Sequence, residues 1–229
     1  MRGKLIVIEG TDCSGKETQS DLLIDKIRKS NIPVEKFSFP NYTSPTGRII
    51  GGPYLGKPHI GEGWFPEGAP NVDPMVSSLY YAADRKYNID KIELLLENGA
   101  NVILDRYVYS NMAHQGGKIK DKEERNRLYN WLEKLEFDLL ELPHADVKIF
   151  LHMPYLYSLK LKEGRKEAAD QHEQDPNHLK NAETAYIELA QKYNFITIEC
   201  VKDGNIRTIE DINEELVKYV MDKEQLESE

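Results

Sequence analysis

The fold is indicated first by Leu5-Ile6-Val7-Ile8, followed directly by Glu9-Gly10-Thr11-Asp12-Cys13-Ser14-Gly15-Lys16-Glu17-Thr18-Gln19. Four consecutive apolar residues are typical of a strand buried on both faces. Gly10, Gly15 and Lys16 then have the G-x-x-x-x-G-K spacing of a phosphate-binding loop, in which backbone N–H groups and a helix N-terminus surround an anion. A glycine-containing turn is the alternative, but the flanking strand and helix favour a nucleotide site.

One position departs from the usual pattern of such loops. Glu17 follows the lysine, where a Ser or Thr hydroxyl would normally contact Mg²⁺. Its carboxylate is expected to bind the metal through a water or to point outward, stabilised by the positive end of the helix. The residues expected to contact the nucleotide phosphates are Gly10, Thr11, Asp12, Cys13, Ser14, Gly15, Lys16, Glu17 and Thr18.

Composition narrows the class of protein. The chain has 229 residues, of which 40% are hydrophobic, and it contains no apolar run near the roughly 18 residues that span a membrane. Residues 1–8 lack the apolar core of a secretory signal, so we expect a cytoplasmic protein with no membrane contact. The net charge of −9, without a Lys/Arg block, argues against a nucleic-acid polymer as partner. Two cysteines far apart argue against a disulfide framework.

Strand and helix patterns alternate along the chain. Apolar runs at 5–8, 34–39, 101–104, 147–151 and 195–198 predict five strands, and helical periodicity separates them. This order predicts a three-layer α/β fold of the P-loop NTPase type, a five-stranded parallel sheet with helices on both faces. We expect a single domain over residues 1–221, with a long Gly/Pro-rich loop at 40–74, a polar lid at 164–177 and a frayed charged tail at 222–229.

A second half of the site is expected at the end of the third strand. Asp105 and Arg106 follow that strand, and ligands of open α/β sheets bind at the carboxyl ends of strands. Asn111, His114 and Gln115 fall on one face of the next helix. Tyr81 and Arg85 share a face of the preceding helix, where Tyr81 could stack on a base or simply pack in the core.

Three cations are the candidates for stabilising a transferring phosphoryl group. They are Lys16, Arg106 and Arg165, the last of which lies in the polar lid and could equally be a solvated surface charge. Phosphoryl transfer needs such charges together with an acceptor site. Because no N-K-x-D segment of a GTPase stands in a suitable place, the pattern favours a small nucleotide kinase over a P-loop switch.

The chain resembles the thymidylate kinase family over nearly its whole length. The matching segments are Glu9-Gly10-Thr11-Asp12 to Gln19, Phe39-Pro40-Asn41-Tyr42, Tyr81-Ala82-Ala83-Asp84-Arg85, Asp105-Arg106-Tyr107-Val108-Tyr109-Ser110-Asn111 and Leu142-Pro143-His144-Ala145-Asp146. The resemblance implies transfer of the γ-phosphoryl group of ATP to thymidine monophosphate (dTMP), which yields ADP and thymidine diphosphate for dTTP synthesis. It also implies a need for Mg²⁺ and assembly as a homodimer packed through helices.

The resemblance assigns roles residue by residue. Tyr81 would stack on thymine, Arg85 would read a base carbonyl, and Arg106 would hold the acceptor phosphate. Asp12 would contact the sugar 3′-hydroxyl and the metal, directly or through water, and Glu173 is a second metal candidate. The catalytic set is Asp12, Lys16, Arg106 and Arg165. The dTMP-binding set is Asp12, Phe39, Pro40, Tyr42, Tyr81, Arg85, Asp105, Arg106, Asn111, His114 and Gln115.

Three positions depart from the family pattern. Tyr81 stands where Phe is common, and His114 stands where Tyr or Phe usually crowds the 2′ side of the sugar. Cys13 replaces an Arg that some members carry, which is why Arg165 is expected to supply that charge. Two alternatives stay open: a monophosphate kinase of different or broader base specificity, for example toward dUMP, and a non-catalytic nucleotide-binding regulator.

Overall fold

The computed structural model describes residues 1–162 and 175–225 of the chain. Arg165 and Glu173, two of the predicted site residues, therefore lie outside the described residues. The strands are β1 (Leu5–Gly10), β2 (Val34–Ser38), β3 (Asn101–Asp105), β4 (Val147–His152), β5 (Ile196–Glu199), β6 (Val201–Lys202) and β7 (Asn205–Ile206). The helices are α1 (Lys16–Lys29), α2 (Pro45–Ile49), α3 (Pro74–Glu97), α4 (Val108–Gly116), α5 (Lys122–Glu133), α6 (Tyr155–Lys162), α7 (Pro176–Lys192) and α8 (Ile209–Gln225).

The predicted parallel sheet is confirmed. Five strands pair in the order β2-β3-β1-β4-β5, and every pairing is parallel. Leu5 is in register with Val102 on one side, and Ile6 with Val147 on the other. The central position of β1 places the phosphate loop and the end of β3 side by side at the carboxyl edge of the sheet.

Strand β1 separates two hydrophobic cores, as its unbroken apolar run predicts. Leu5 and Val7 pack into a core with α3, α4, α5 and α7. Ile6 and Ile8 pack on the opposite face with α1 and α8. Successive strand residues point to opposite faces, so a strand covered by helices on both sides must be apolar throughout. The result is the expected three-layer arrangement.

The segment 50–73 contains more regular structure than the predicted loop. Helix α2 runs directly into a π-helical turn at Ile50–Tyr54, and a short 3₁₀ turn follows at Ala69–Asn71. A third hydrophobic cluster of Ile50, Tyr54, Leu55, Ala69 and Val72, joined by Phe65, Tyr80 and Tyr81, fixes the segment against α3. Phe65 contacts Tyr54 edge-on at 5.9 Å between ring centroids, whereas Trp64 is exposed.

Lys118, just after α4, ties the segment 50–73 to the core. Its Nζ donates to the carbonyl oxygens of Ala69 and Val72, both at 2.9 Å, and to Tyr54 Oη and Ser77 Oγ, both at 3.3 Å. One side chain therefore connects the two ends of the segment to α3 and α4.

Replacing Lys118 by methionine should lower the free energy of unfolding by about 2 kcal/mol, because buried acceptors lose their donor. Urea denaturation measures the effect. Lys120→Met, exposed two residues further along, is the matched control and should change stability by less than about 0.5 kcal/mol. Equal stability of the two variants would show that the hydrogen bonds of Lys118 do not hold the segment.

Two boundaries and one hairpin differ from the sequence-based expectation. Helix α7 begins at Pro176, capped by Asp175, and so includes the last two residues of the predicted lid. Helix α8 extends through Gln225, into the predicted tail. Strands β6 and β7 form a small antiparallel hairpin that was not predicted. Within residues 1–162 and 175–225, no helix combines the length and hydrophobicity needed to cross a membrane.

Candidate active site

The loop between β1 and α1 has the geometry of an anion nest. Cys13 and Gly15 both have a left-handed backbone, with φ of 58° and 75°, and α1 begins at Lys16 as predicted. A Cβ on Gly10 would lie 2.4 Å from Ser14 Oγ and 2.8 Å from the Leu151 carbonyl oxygen, so only glycine fits there. The loop is thereby held in the shape that directs backbone N–H groups and the helix terminus toward a phosphate.

Lys16 lies within this loop. Its side chain is buried, and Nζ donates to the carbonyl oxygens of Gly10 at 3.0 Å and Thr11 at 3.2 Å. Burial lowers the pKa of Lys16 to about 8, and the nearby charge of Arg106 acts in the same direction. A lysine with this pKa is still mainly protonated at neutral pH, and a bound polyphosphate would favour the ammonium further.

Asp12 and Lys162 join the phosphate loop to the end of α6. Lys162 Nζ lies 2.6 Å from Asp12 Oδ2. Burial alone would raise the pKa of Asp12, but the hydrogen bond and charge of Lys162 together hold it below the ordinary value. Lys162 was not among the predicted cations, and it stands at the point where the chain enters the predicted lid.

A cavity of about 360 Å³ opens beside the phosphate loop. Its lining contains most of the predicted acceptor residues: Asp12, Phe39, Pro40, Tyr42, Tyr81, Arg85, Asp105, Arg106, Asn111 and His114. It also contains residues that were not assigned to the acceptor site: Glu17, Ser38, Leu55, Lys57, Tyr107, Ser110 and Leu179. Leu55 and Lys57 show that the segment 50–73 forms part of the cavity wall.

Gln115 is the one member of the predicted dTMP-binding set that does not line the cavity, and of the predicted phosphate-contact residues Asp12 and Glu17 line it. Gln115 is fully buried, and its amide nitrogen and oxygen have no hydrogen-bond partner among the described residues. It follows His114 by one residue, so the helix turns its side chain by about 100° away from that of His114. Thr18 is exposed on the first turn of α1.

Arg106 is held in a strained conformation at the end of β3. Its φ of 69° lies in the left-handed region, which costs energy for a residue with a Cβ and is often found at functional sites. Its Nη1 lies 3.3 Å from His114 Nε2, 3.3 Å from Tyr186 Oη and 3.5 Å from Ser110 Oγ. Neighbouring groups fix the guanidinium against the cavity wall.

The buried carboxylate of Glu9 anchors this arrangement. It accepts hydrogen bonds from the backbone N–H groups of Tyr107, at 2.8 Å, and Ser110, at 3.0 Å, and from the Ser110 hydroxyl. Burial raises the pKa of Glu9, and the Ser110 hydrogen bond and the charge of Arg106 offset this only in part. Glu9 lies at the N-terminus of α4, where the helix dipole favours a negative charge.

His114 connects the cavity to α7. Its ring stacks on that of His178, with 5.4 Å between centroids and 15° between planes, and Nδ1 lies 3.2 Å from His178 Nε2. Tyr186 meets the same ring edge-on at 5.9 Å. The histidine thus belongs to a packed aromatic group that borders the site.

The far end of the cavity combines an aromatic ring with a buried ion pair. Tyr81 packs edge-on against Tyr54 at 5.8 Å between centroids. Arg85, which is 1% exposed, makes a two-pronged ion pair with Glu136, which is fully buried. Burial alone would lower the pKa of Arg85, but the charge and hydrogen bond of Glu136 together raise it. Asn111 donates to the same carboxylate at 3.2 Å.

Sequence reasoning missed Glu136, although a signal for it exists. Helix α5 continues into a π-helical segment at Lys134–Leu139, and the buried Leu128 and Leu132 precede Glu136 at four-residue steps. An acid on the apolar face of a helix must be paired when that face is buried.

The cavity also contains oxygen ligands suited to Mg²⁺. Asp12 and Asp105 both line it, and Oδ1 of Asp105 is buried without a hydrogen-bond partner among the described residues. In residues 1–162 and 175–225, no three His, Cys, Asp or Glu side chains group into a ready metal site. Mg²⁺ takes one or two carboxylates and completes its shell with waters and substrate phosphates.

Known proteins are similar to this chain in sequence and in fold. A family model described as thymidylate kinase matches residues 8–206. The thymidylate kinase of Plasmodium falciparum is 28% identical over 219 residues, covering 96% of this chain and 90% of that protein. The thymidylate kinase of Schizosaccharomyces pombe is 29% identical over 220 residues, covering 96% of this chain and 92% of that protein. A solved structure of thymidylate kinase from Candida albicans superposes with a TM-score of 0.73 at 24% identity, covering 97% of this chain and 93% of that one.

Proposed function

The chain belongs to the thymidylate kinase family, and from this premise we propose that it transfers the γ-phosphoryl group of ATP to dTMP. The products are ADP and thymidine diphosphate, and the reaction is a step of dTTP synthesis. The observation that carries the assignment is the shared cavity wall: Asp12 and Glu17 of the phosphate loop line the same cavity as Arg106 at the end of β3. Donor and acceptor phosphates bound at these two places would meet.

On the donor side, the loop amides and Lys16 bind the ATP phosphates. Lys16 exchanges its present carbonyl acceptors for phosphate oxygens, which are stronger acceptors because they are charged. Asp12 and Asp105 are the ligands through which Mg²⁺ would be held. When bound, the metal neutralises charge on the phosphate oxygens.

On the acceptor side, Arg106 binds the phosphate of dTMP. Phe39, Pro40 and Tyr42 form the adjoining wall, and Tyr81 offers a face for the base. Arg85 and Asn111 are assigned to the base, and His114, whose Nε2 lies 3.3 Å from Arg106 Nη1, is assigned to the region between base and phosphate. Catalysis comes from positioning and charge neutralisation, since phosphoryl transfer needs no covalent enzyme intermediate.

Arg165 remains the proposed catalytic cation of the lid, and Glu173 remains a candidate metal ligand. Lys162 is added to them because its ammonium already contacts Asp12 of the phosphate loop. Loss of kcat in Arg165→Ala, with an unchanged dTMP dissociation constant, would support a role in transfer; wild-type kcat would rule it out.

The function is tested by coupled ADP release with Mg²⁺-ATP and a panel of dTMP, dUMP, dCMP and the ribonucleoside monophosphates. ADP release that depends on dTMP supports the proposal. Comparable rates with dUMP would point instead to the broader specificity left open by the single thymine methyl group, which is worth only about 1–3 kcal/mol. No release with any acceptor would favour a nucleotide-binding regulator.

A homodimer is part of the same proposal. Helix α3 exposes a stripe of apolar side chains along its outer face: Val76, Leu79, Ala83, Tyr87 and Leu94. Successive members are three or four residues apart, except that Leu94 follows Tyr87 by seven residues, about two turns. This spacing places them on one side of the helix. A second copy of the chain is the occupant that the family resemblance implies. Cys13 and Cys200 form no disulfide, in keeping with action in the reducing cytoplasm.

The double variant Leu79→Glu, Tyr87→Glu should convert the dimer to a monomer, because two buried carboxylates would face their own copies across the interface. Light scattering after gel filtration should give the 26.4 kDa chain mass for the variant and twice that for the wild type. Lys218→Glu, on the exposed face of α8, is the control and should remain dimeric. A monomeric wild type would refute the proposal.

A further inference from the structure

Glu136 is the buried partner of a residue that lines the nucleotide cavity. It is fully buried between Leu135 and Phe137, and it binds Arg85 through both carboxylate oxygens. A buried ion pair is poor evidence for stabilisation, since an apolar pair of similar volume often serves as well. Arg85, however, lines the nucleotide cavity.

The ion pair restricts what Arg85 offers the cavity. Nε and Nη2 both donate to Glu136, which leaves Nη1 without a hydrogen bond among the described residues. A guanidinium can only donate. Arg85 therefore presents a fixed donor at this end of the cavity.

The same carboxylate fixes the orientation of Asn111. The amide Nδ2 donates to Glu136 Oε1 at 3.2 Å and to the Ser78 carbonyl oxygen at 3.3 Å. Both partners can only accept, so the amide nitrogen must face them and Oδ1 must face the other way. Oδ1 is buried without a partner among the described residues, on a side chain that lines the cavity. Asn111 therefore presents an unused acceptor.

The donor and the acceptor are neighbours, since Arg85 Nη2 and Asn111 Nδ2 bind the same oxygen, Glu136 Oε1, at 2.6 Å and 3.2 Å. A 4-oxo pyrimidine such as thymine or uracil has the matching order: a carbonyl acceptor at C4 beside an N–H donor at N3. Cytosine has the reverse order, with an amino donor at C4 and an acceptor at N3.

We propose that Glu136 is a positioning residue that fixes this donor–acceptor order and thereby selects 4-oxo over 4-amino pyrimidine monophosphates. The proposal rests on the function proposed above and names a specificity determinant that does not itself touch the base. A glutamine at this position would direct its amide N–H₂ either at Nε of Arg85, or at Nη2 of Arg85 and Nδ2 of Asn111, so at least one of the two side chains would lose the acceptor that fixes it.

The test compares the dissociation constants of dTMP, dUMP and dCMP between the wild type and the Glu136 variants, measured by displacement titration without turnover. In Glu136→Gln the preference for dTMP over dCMP should fall at least about tenfold, the size of one lost hydrogen-bond match, and dUMP should follow dTMP. Asp138→Asn removes an exposed charge from the same segment and should leave the preference unchanged. Glu136→Asp keeps an acceptor-only carboxylate and should retain the preference while weakening dTMP binding.

Equal weakening of all three nucleotides in Glu136→Gln would overturn the proposal, because a merely structural role affects them alike. Loss of the preference for dTMP over dCMP in Glu136→Asp would also overturn the proposal. This variant provides the test if Glu136→Gln does not fold. Failure of the proposed function is distinguishable: the wild type would then bind no deoxypyrimidine monophosphate, or bind dTMP and release no ADP.

Discussion

Arg106→Ala should reduce kcat/KM for dTMP by about a thousandfold, the upper range for losing one group that stabilises developing charge. The side chain is held at the cavity wall by His114, Ser110 and Tyr186, in a backbone conformation that is unfavourable for a non-glycine residue. We interpret this cost as the requirement for one fixed cation at the acceptor phosphate. Steady-state kinetics with varied dTMP and saturating ATP measure the loss.

Two further variants make the Arg106 result specific. Arg106→Lys keeps the charge but loses the planar fork, so it should recover only part of the activity. Arg127→Ala removes an exposed arginine and should leave kcat/KM unchanged. The dissociation constant of ATP should stay near the wild-type value in Arg106→Ala. Wild-type kinetics toward dTMP in that variant would refute its role at the acceptor phosphate.

Lys16→Ala should lower kcat by a similar factor of about a thousand, but through the donor. Lys16 is buried within the loop after β1 and reaches the carbonyl oxygens of Gly10 and Thr11, the place where ATP phosphates are expected. Removing the ammonium leaves the transferring phosphoryl oxygens without the cation of the phosphate loop. ADP release under saturating substrates measures kcat, and calorimetry measures dTMP binding.

The matched control for this variant is Lys29→Ala, which removes an exposed lysine from the last turn of the same helix. It should retain full activity. Lys16→Ala should still bind dTMP with near wild-type affinity, in contrast to Arg106→Ala. If the Lys16 variant loses affinity for dTMP but keeps its kcat at saturation, the lysine contacts dTMP and not ATP, and the prediction is wrong.

The parts of the fold that follow from local patterns were predictable. The run Leu5-Ile6-Val7-Ile8 indicates a strand covered on both faces, and both cores are found. The spacing of Gly10, Gly15 and Lys16 indicates the phosphate loop because these residues lie close together in the sequence. Arg106 was placed correctly because parallel strands bring their carboxyl ends to one edge of the sheet.

The rest depends on contacts between distant residues or on a signal that was overlooked. Glu136 pairs with Arg85, 51 residues earlier, and no local pattern indicates which residue an acid will meet. The structure of the segment 50–73 depends on Lys118, which lies beyond the next strand. The hairpin at Val201–Ile206 could have been predicted, since Asp203-Gly204 is a typical two-residue turn and both residues have positive φ.

One cavity is expected to bring the γ-phosphoryl group of ATP to the phosphate of dTMP. The most direct test is to supply ATP labelled in the γ-phosphate together with dTMP and Mg²⁺, and to separate the products. The structure and the family predict label in the terminal phosphate of thymidine diphosphate, with one ADP formed per labelled product. Label recovered only as inorganic phosphate, or retained in ATP, would contradict the claim.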